Sequence, residues 1–492
     1  MDSPIIKGIF SRIELKKKDE RAIYLQLSDE ILLLIKRGKL TTGQRLPSTR
    51  DMASLLKINR ITVAKAFEEL QMQGWLESSV GRGTFVSSHI PEPEPKKLQN
   101  ETINKPQKVA GFILNEKQYL SNPYFVPNAQ FHLDDGFPDP KLAPLKELYR
   151  AYRNQITRSG LYSKFGSYSF PDGSEMYKEA LSRYLNETRA LKTVSKNILS
   201  VRGTLMGINL VCTALINPGD VVVSGIPGWQ RAEHNFLHAK AKHIGIPVDE
   251  HGLVVEELKK ICKRRKVRMV YVTPHHNYPT TVSLRIDRRL ELLRLANEYG
   301  FIIFEDDYDF DFHYSHRPLL PLASADENGM VIYCGSFSKS FSPAFRMGYL
   351  AASENVIEHL TNVRVLLDRQ GDHILDNAMA QLLNEGTIQR YLRKTLTVYE
   401  ERRNHFCKLL QSELGNAVDF SIPDGGMTVW TEFDKSIDLE KLAQKAYTKD
   451  LYISNGVIHQ YPAYNKNGIR LGFASSSTED LTKSIGILKG LL

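Results

Sequence analysis

A lysine in the segment GSFSKSFSPAFRMGY (335–349) stands among groups that suit a phosphorylated aldehyde. Lys339 follows the apolar run VIYCG, so we expect it to project from the end of a strand into a partly buried site. A lysine bonds to an aldehyde only when it is unprotonated, and burial favours that state. Ser336 and Ser338 offer hydroxyls and Arg346 offers a fixed fork of donors, which suit a phosphate dianion. The segment therefore predicts a pocket for an aldehyde cofactor with a phosphate tail.

An acidic run, FIIFEDDYDF (301–310), ends another apolar segment ahead of that lysine. An aspartate such as Asp306 can hold a pyridine nitrogen protonated and so make the ring an electron sink. The hydroxyl of Tyr308 can bond to a phenolic oxygen on the same ring. A solvated acidic loop and a metal site are the alternatives for this run.

Three further segments place useful side chains after apolar runs. Gly203 and Thr204 stand at a strand-to-helix turn, where free N–H groups favour a phosphate. Trp229 follows a strand and can stack on a ring, and His276 and Asn277 follow YVTP, where either can bond to a ring oxygen. Each residue alone also has an ordinary structural explanation. Their succession at strand ends, in one order, is what indicates a site.

The elements that must position these residues alternate between two kinds. VVVSG, MVYVTP, FIIFEDD and VIYCGSF are short apolar runs, and segments with helical spacing, such as RRLELLRLANEYG, lie between them. This alternation predicts a mostly parallel sheet covered by helices on both faces. Sites in such sheets gather at the carboxyl ends of the strands.

The first 87 residues have a different organisation. Helical spacing in AIYLQLSDEILLLIKRGKL is followed by a short helix after Ser48 and an amphipathic helix after Asn59, both good N-cap residues. WLESSVGRGTFVSS then indicates two short strands around a Gly-Arg-Gly turn. Three helices and a hairpin predict a winged helix-turn-helix.

Four basic or polar residues of this region are expected to contact DNA. Arg60 and Thr62 begin the expected recognition helix, Arg50 lies just before it, and Arg82 is at the hairpin tip. Residues 1–90 contain 15 Lys and Arg against 10 Asp and Glu, a net of +5 out of +9 for the chain. A small helical domain with incidental surface arginines is the alternative.

The stretch between these regions, SHIPEPEPKKLQNETINKPQKVA, lacks apolar faces and predicts an extended linker. We therefore expect domains at 1–87 and 122–492, joined by a linker at 88–121. The four cysteines are far apart, and no signal peptide or membrane span is evident. A cytoplasmic protein without a structural metal or a membrane partner is expected.

The N-terminal pattern resembles the GntR-type winged helix over its full length. The matching motifs are the G.RLPS.R turn, the NR.TV start of the recognition helix and the G.GTFV wing. This resemblance implies a double-stranded DNA operator, contacted by Arg50, Arg60, Thr62 and the wing around Arg82 and Gly83.

Residues from about 130 to the end resemble the aminotransferase class I fold, the fold-type I pyridoxal-phosphate enzymes. The most specific matches are TPHHNYPT, EDDYD and GSFSKSFSPAFRMGY. The resemblance implies pyridoxal phosphate as cofactor, bound as an internal aldimine on one lysine and held by ring and phosphate contacts. Those roles fall on Lys339, Asp306 (pyridine nitrogen), Tyr308, Asn277 and His276 (phenolic oxygen), Trp229 (ring stacking) and Gly203, Thr204, Ser336, Ser338 and Arg346 (phosphate). Arg470 in GIRLGFA resembles the arginine that grips a ligand α-carboxylate, and Arg231 could hold a second acidic group.

YSFPDGSEMYKEALSRYL resembles a segment that crosses a subunit boundary in this family. Tyr168 matches the tyrosine lent to the phosphate of the neighbouring subunit, which implies a homodimer with shared sites. Phe170 stands where Asp is common and GTLMGI replaces the usual GTQQAL, so the ligand preference of the pocket is open.

Together the two halves resemble the MocR family of transcription regulators. The resemblance implies a head-to-tail dimer whose DNA binding responds to an amino compound, or to pyridoxal phosphate itself, through aldimine chemistry on Lys339. A working aminotransferase with a DNA-binding appendage is the alternative, and a cofactor-free dimerisation body is a third. The effector, the operator and the direction of regulation are not given by the sequence.

Overall fold

The computed structural model describes residues 8–11, 13–16, 21–79, 81–89, 108–120, 128–157, 167–314, 319–462, 464 and 466–492. The chain divides into two compact units, Met1–Asn115 and Glu116–Leu492, here the N-terminal unit and the C-terminal unit. Of the predicted linker 88–121, residues 90–107 and 121 lie outside the described part. Residues 108–117 are exposed and form neither helix nor strand.

The N-terminal unit contains the helices and the hairpin that its sequence predicts. They are α1 (Ile23–Lys36), α2 (Thr49–Leu56), α3 (Arg60–Met72), β1 (Leu76–Ser79) and β2 (Gly83–Val86). Ser48 accepts a hydrogen bond from the Asp51 N–H at 3.2 Å, and Asn59 accepts one from the Ile61 N–H at 2.9 Å. Both predicted N-caps are therefore confirmed.

One apolar core holds this unit together. Helices α1 and α3 face each other through side chains spaced three or four residues apart, which places them on one side of each helix. The core includes Leu27, Ile31, Val63, Phe67 and Leu70. Strands β1 and β2 pair antiparallel up to Ser79 opposite Gly83. The winged helix-turn-helix is confirmed.

An eight-stranded sheet forms the centre of the C-terminal unit. Its strands are β4 (Ile198–Val201), β5 (Val221–Ile226), β6 (Lys242–Asp249), β7 (Gly252–Leu253), β8 (Val267–Val272), β9 (Ile302–Asp307), β10 (Val331–Ser336) and β11 (Gly348–Ala351), in the order β4-β11-β10-β9-β8-β5-β6-β7. Strands β6, β5, β8, β9 and β10 run parallel, whereas β11 is antiparallel to both its neighbours. The predicted, mostly parallel sheet is confirmed.

Helices cover both faces of this sheet. They include α4 (Leu145–Thr157), α5 (Glu175–Arg189), α6 (Thr204–Leu215), α7 (Gln230–His238), α8 (Val255–Cys262), α9 (Ile286–Tyr299), the short α10 (Phe337–Ser340) and α11 (Glu354–Leu367). Residues of α6, α7 and α11 join one core cluster, and residues of α8 and α9 join a second one. Burial on both faces explains why the central strands are almost continuously apolar.

The rest of the C-terminal unit forms a smaller layer of helices and short strands. It contains β3 (Phe131–His132), α12 (His373–Asn384), α13 (Thr387–Leu409), β12 (Val418–Phe420), β13 (Thr428–Phe433), α14 (Leu439–Thr448), β14 (Leu451–Tyr452), β15 (Gly468–Gly472) and α15 (Thr478–Lys489). Strands β12, β13 and β15 form one sheet, and β14 pairs with β3. Within the described residues, the longest apolar helices are too short or too polar to cross a membrane.

Candidate functional site

The register of the large sheet brings the predicted phosphate-binding residues together. Ser336 at the end of β10 pairs with Gly348 on β11, and Gly348 pairs with Val201 on β4. Gly203 and Thr204 come two and three residues after Val201, so they lie at the same edge as Ser336. Residues from three separate segments are thus combined by strand pairing alone.

The guanidinium of Arg346 lies directly against the turn that starts α6. A Cβ atom at Gly203 would come within 2.7 Å of Arg346 Nη2, and Gly203 has a φ of +79°. Arg346 Nη2 also donates to the carbonyl of Arg202 at 3.1 Å. Glycine is needed here for both its conformation and its lack of a side chain. The result is a positively charged cradle beside a helix N-terminus.

The hydroxyls and N–H groups of this cradle also suit an anion. Ser336 Oγ accepts a hydrogen bond from the Ser338 N–H at 3.0 Å and lies 2.9 Å from Ser338 Oγ. Thr204 begins the 12-residue helix α6, whose first N–H groups have no partners within the helix. Such a helix start combined with an arginine favours a phosphate.

Asp306 is buried at the end of β9, next to Cys334 on β10. Its Oδ2 accepts a hydrogen bond from the Tyr271 hydroxyl at 2.7 Å, while Oδ1 has no hydrogen-bond partner among the described residues. Burial raises its pKa to about 7, against the opposing effects of Tyr271 and of the nearby Thr204 side chain. A buried carboxylate oxygen without a partner suits a protonated ring nitrogen, which would supply both charge and hydrogen bond.

The other carboxylates of the acidic run are engaged within the protein. Glu305 accepts hydrogen bonds from the N–H groups of Leu322 and Ala323, Asp307 accepts one from the Tyr333 hydroxyl, and Asp309 pairs with His276. Asp311, just beyond the run, pairs with Arg189. In the described part of the chain, acidic residues, histidines and cysteines form no group of three that could hold a metal ion. The run is therefore a set of structural partners around Asp306 rather than a solvated loop.

Lys339 reaches a loop from a distant part of the chain. Its Nζ donates to the carbonyls of Asp135 and Gly136, at 3.2 and 2.5 Å, and lies 4.7 Å from the centre of the Phe137 ring. Burial lowers the pKa of Lys339 below its ordinary value, although Asp135 opposes this effect. A lowered pKa increases the fraction of free amine at neutral pH, which an aldehyde requires.

The residues predicted for the phenolic oxygen lie together but differ in their present partners. The Tyr308 hydroxyl donates to the backbone carbonyl of His276 at 2.8 Å. Asn277 Nδ2 donates to Thr280 Oγ1 at 3.0 Å. The imidazole of His276 is buried and its Nδ1 lies 2.8 Å from Asp309 Oδ1, while its Nε2 has no hydrogen-bond partner among the described residues.

Trp229 is half-buried at the start of α7, as its position after β5 predicts. Its ring centre lies 6.4 Å from that of Tyr278, and both rings line a cavity together with Tyr271 and Asn277. Arg231 is exposed in the first turn of the same helix. Trp229 and Arg231 thus belong to one helix start.

Arg470, the predicted carboxylate-binding arginine, already has an acidic partner. It is 4% exposed on β15, its Nε lies 2.5 Å from Asp135 Oδ1, and its Nη1 donates to the Pro279 carbonyl at 3.1 Å. The Tyr278 ring centre lies 4.6 Å from its guanidinium carbon. The charge of Asp135 raises the pKa of Arg470, despite burial.

The side chain of Tyr168 is exposed to solvent in the single chain. It is 72% exposed, and its ring contacts the Arg369 guanidinium at 4.4 Å. An aromatic side chain in this position is available to a second subunit.

The predicted DNA-contacting residues lie on the surface of the N-terminal unit. Arg50, Arg60, Arg82 and Gly83 are exposed, and Thr62 is half-buried. Arg60 Nε donates to Thr49 Oγ1 at 3.3 Å, a long hydrogen bond that a better acceptor would replace. Gly83 has a φ of +112° in the wing.

Sequence reasoning missed three members of the site. Tyr271 sits inside the apolar strand β8, where a tyrosine looks like any other core residue. Tyr278 stands in TPHHNYPT, where the pattern points to His276 and Asn277, and Asp135 stands in DDGFPDP, which carries none of the predicted roles. A doubled aspartate before a glycine, next to a domain start, was the available signal.

Comparison with protein families assigns both units. Residues 139–488 match the model for aminotransferase class I and II, and residues 23–86 match that for bacterial regulatory proteins of the gntR family. Similar full-length proteins include an uncharacterized HTH-type transcriptional regulator, YdfD, of Bacillus subtilis, 29% identical over 480 residues and 96% of each chain. The probable rhizopine catabolism regulatory protein MocR of Rhizobium meliloti is 26% identical over 473 residues, 95% of this chain and 92% of MocR.

Solved structures resemble the C-terminal part of the chain. An archaeal alanine:glyoxylate aminotransferase is 27% identical with a TM-score of 0.68, and kynurenine aminotransferase from Pyrococcus horikoshii is 25% identical with a TM-score of 0.66. Each alignment covers 73% of this chain and 90% of the other. The chain belongs to the aminotransferase class I and II family and carries a GntR-family domain before it, which is the architecture of the MocR family of transcription regulators.

Proposed function

We propose that this transcription regulator binds pyridoxal phosphate at Lys339 and senses a small amino compound in the same pocket. The observation that carries the proposal is Asp306 at the strand end beside β10, whose buried Oδ1 has no hydrogen-bond partner among the residues that the structure describes. The cradle of Gly203 and Arg346 at the neighbouring edge supports it, because a Cβ atom would fill that space. Both features suit the two ends of one phosphorylated pyridine.

Pyridoxal phosphate, when bound, supplies an aldehyde that bonds covalently to a primary amine, either that of Lys339 or that of a small molecule. Arg346, Thr204, Ser336 and Ser338 would hold its phosphate. Asp306 Oδ1 would accept a hydrogen bond from the ring nitrogen and keep that nitrogen protonated. Trp229 would cover one face of the ring, and Asn277 and Tyr308 would face its phenolic oxygen. Arg231 would meet the rest of the amino compound, and Arg470, which is paired with Asp135 in this structure, is the arginine that the family resemblance assigns to a ligand carboxylate.

The regulatory output would come from the N-terminal unit. Arg60 and Thr62 would contact base edges of a double-stranded operator, and Arg50, Arg82 and Gly83 would contact its backbone or the minor groove. Coupling requires that the amino compound bind two states of the protein with different affinities. A free Lys339 amine would supply such a difference, since in this structure that amine bonds to the loop at Asp135 and Gly136.

We further propose a cytoplasmic, head-to-tail homodimer with the domain boundaries at 87 and 122 and a linker between them. The exposed ring of Tyr168 supports the dimer, because the family resemblance assigns this residue to the phosphate of the neighbouring subunit. A dimer would read two operator half-sites.

Chemical trapping tests cofactor attachment directly. The purified protein should absorb visible light, and reduction with borohydride should fix the cofactor to the peptide that contains Lys339, as identified by mass spectrometry. Lys339→Ala should lose both signals, whereas Lys192→Ala, which removes an exposed lysine of the same unit, should lose neither. Absence of visible absorbance from protein supplied with pyridoxal phosphate would instead indicate a cofactor-free dimerisation body.

Turnover separates the regulator from an aminotransferase. Keto-acid production from amino acids should stay far below about 1 s⁻¹, the low end of ordinary enzyme rates. Sustained production at or above that rate would favour the working enzyme as the physiological function.

A further inference from the structure

An internal carboxylate occupies the arginine that the amino compound would otherwise use. Arg470 is almost fully buried, and Asp135 Oδ1 lies 2.5 Å from its Nε. The Tyr278 hydroxyl donates to the other oxygen, Asp135 Oδ2, at 3.1 Å. Both oxygens of Asp135 therefore face the arginine–tyrosine pair, as the two oxygens of a ligand carboxylate would.

Asp135 is the more exposed member of its pair with Arg470. The Arg470 side chain is 4% exposed, whereas that of Asp135 is 43% exposed. A ligand carboxylate coming from solvent toward Arg470 would have to pass or displace Asp135. Two carboxylates about 4 Å apart repel by up to about 4 kcal/mol at the effective dielectric of a protein surface, so both cannot be accommodated at little cost.

The loop that presents Asp135 is held in place from several sides. Asp134 Oδ1 accepts hydrogen bonds from the N–H groups of Gly136 and Phe137, each at 2.9 Å. Gly136 has a φ of +74°, and a Cβ atom there would lie 2.6 Å from Thr428 Cγ2. Lys339 bonds to the carbonyls of the same loop. The backbone that carries Asp135 is thus fixed in the pocket by these contacts.

The same groups leave no excess positive charge for a ligand carboxylate. The Asp135–Arg470 pair is neutral as a whole, and the half-exposed Asp135 carboxylate can accept a hydrogen bond from an incoming ammonium group. A ligand with a carboxylate next to its amine gains no free arginine here and meets Asp135 instead.

We infer that Asp135 makes this pocket select primary amines that lack an α-carboxylate over the corresponding α-amino acids. The inference rests on the proposed function, since it concerns the amino compound that reaches the bound cofactor. Asp135 is a specificity-determining residue in this scheme, and Arg470 is its positioning partner.

The test uses full-length protein loaded with pyridoxal phosphate and matched pairs of probes: ethylamine with alanine, isoamylamine with leucine, and cadaverine with lysine. Affinities are measured by the change in the visible spectrum and, independently, by calorimetry. The wild type should bind each amine at least about tenfold more tightly than its amino acid, a difference of about 1.4 kcal/mol. Asp135→Asn should shift that ratio toward the amino acids by about tenfold or more, while Asp135→Glu should retain the preference for amines.

Glu187→Gln, which removes an exposed carboxylate elsewhere in the unit, should leave the ratio unchanged. The inference is overturned if the wild type prefers the amino acids, or if Asp135→Asn changes both members of a pair equally. The wild-type ratio decides the matter even if Asp135→Asn fails to fold. A protein that shows no visible cofactor band would overturn the proposed function as well, so the two failures are distinguishable.

Discussion

Arg60 in the N-terminal unit and Arg470 in the C-terminal unit carry the same charge in opposite surroundings. Arg60 is exposed at the start of α3 and makes one long hydrogen bond, to Thr49 at 3.3 Å. Arg470 is buried in β15 between a carboxylate, a carbonyl and an aromatic ring. An exposed arginine can bind an external polyanion without breaking contacts inside the protein, whereas a buried arginine makes contacts on which the stability of the fold depends. Arg60 is thus held in solvent, whereas Arg470 is held in a buried pair.

The largest expected contrast is between the losses of stability when each of the two arginines is replaced. Arg470→Met should lower the free energy of unfolding of the C-terminal unit by about 2–3 kcal/mol, because it leaves Asp135 without its cation. Arg60→Met should change it by less than about 0.5 kcal/mol, as expected for a surface position. Urea unfolding followed by circular dichroism measures both values. Equal losses in the two variants would contradict the contrast between buried and exposed charge.

Asp306 is a buried carboxyl, and its effect on the free energy of unfolding should be measurable in the cofactor-free protein. Burial raises its pKa to about 7 from 3.8, so in the cofactor-free protein the ionised carboxyl reduces stability above pH 7. The penalty disappears as the pH falls toward the ordinary pKa, because the folded state takes up the proton first. Asp306→Asn should therefore stabilise the cofactor-free protein by on the order of a few kcal/mol near pH 8 and by less than about half of that near pH 5. A pH-independent difference in melting temperature between the two proteins would show that Asp306 is not a strained buried acid.

A substitution in the recognition helix should change DNA binding rather than stability. Arg60→Ala should weaken specific operator binding by about 1–2 kcal/mol and leave the cofactor spectrum unchanged. Lys39→Ala removes a comparable exposed charge from just beyond the end of α1, and it should weaken binding to specific and non-specific DNA alike. Fluorescence anisotropy with both kinds of DNA distinguishes the variants. Similar specificity ratios for the two would argue against base contact by Arg60.

Two matched helix caps provide the smallest contrast. Ser48 caps α2 and Ser477 caps α15, each accepting a hydrogen bond from an aspartate N–H three residues later, at 3.2 and 3.1 Å. Alanine at either position should cost about 1 kcal/mol of stability in its own unit. Only Ser48→Ala should also weaken operator binding, because α2 and α3 pack together in the N-terminal unit. Loss of operator binding in Ser477→Ala would mean that the units are coupled through α15.

Much of the fold follows from local patterns in the sequence. The runs FIIFEDD and VIYCGSF form β9 and β10 because their side chains are apolar on both faces, as a covered parallel sheet requires. Their polar ends, Asp306 and Lys339, then have to lie at one edge. Ser48 and Asn59 begin helices because their side chains can satisfy an otherwise unpaired N–H group.

The pairings inside the pocket did not follow from such patterns. Asp135 and Arg470 are far apart in the chain, and nothing in either segment specifies the other as its partner. The hydroxyl of Tyr308 turns to the His276 carbonyl, and His276 turns to Asp309, which depends on how three loops pack. Tyr271 differs from its core neighbours only by a hydroxyl, and the structure shows that this hydroxyl donates a hydrogen bond to Asp306. Local sequence determines where a side chain leaves its strand, while tertiary packing determines what it meets.

Operator affinity under control of the pocket is the most direct measurement of the central idea, that chemistry at Lys339 governs DNA binding. Wild-type protein and Lys339→Ala are titrated with operator DNA in four conditions: without cofactor, with pyridoxal phosphate, and with pyridoxal phosphate plus either ethylamine or cadaverine. The wild type should show operator affinities that differ between conditions by about 5-fold or more, the lower end of typical coupling, and Lys339→Ala should bind with one affinity throughout. Equal affinities for the wild type in all four conditions, or an unchanged response in Lys339→Ala, would contradict it.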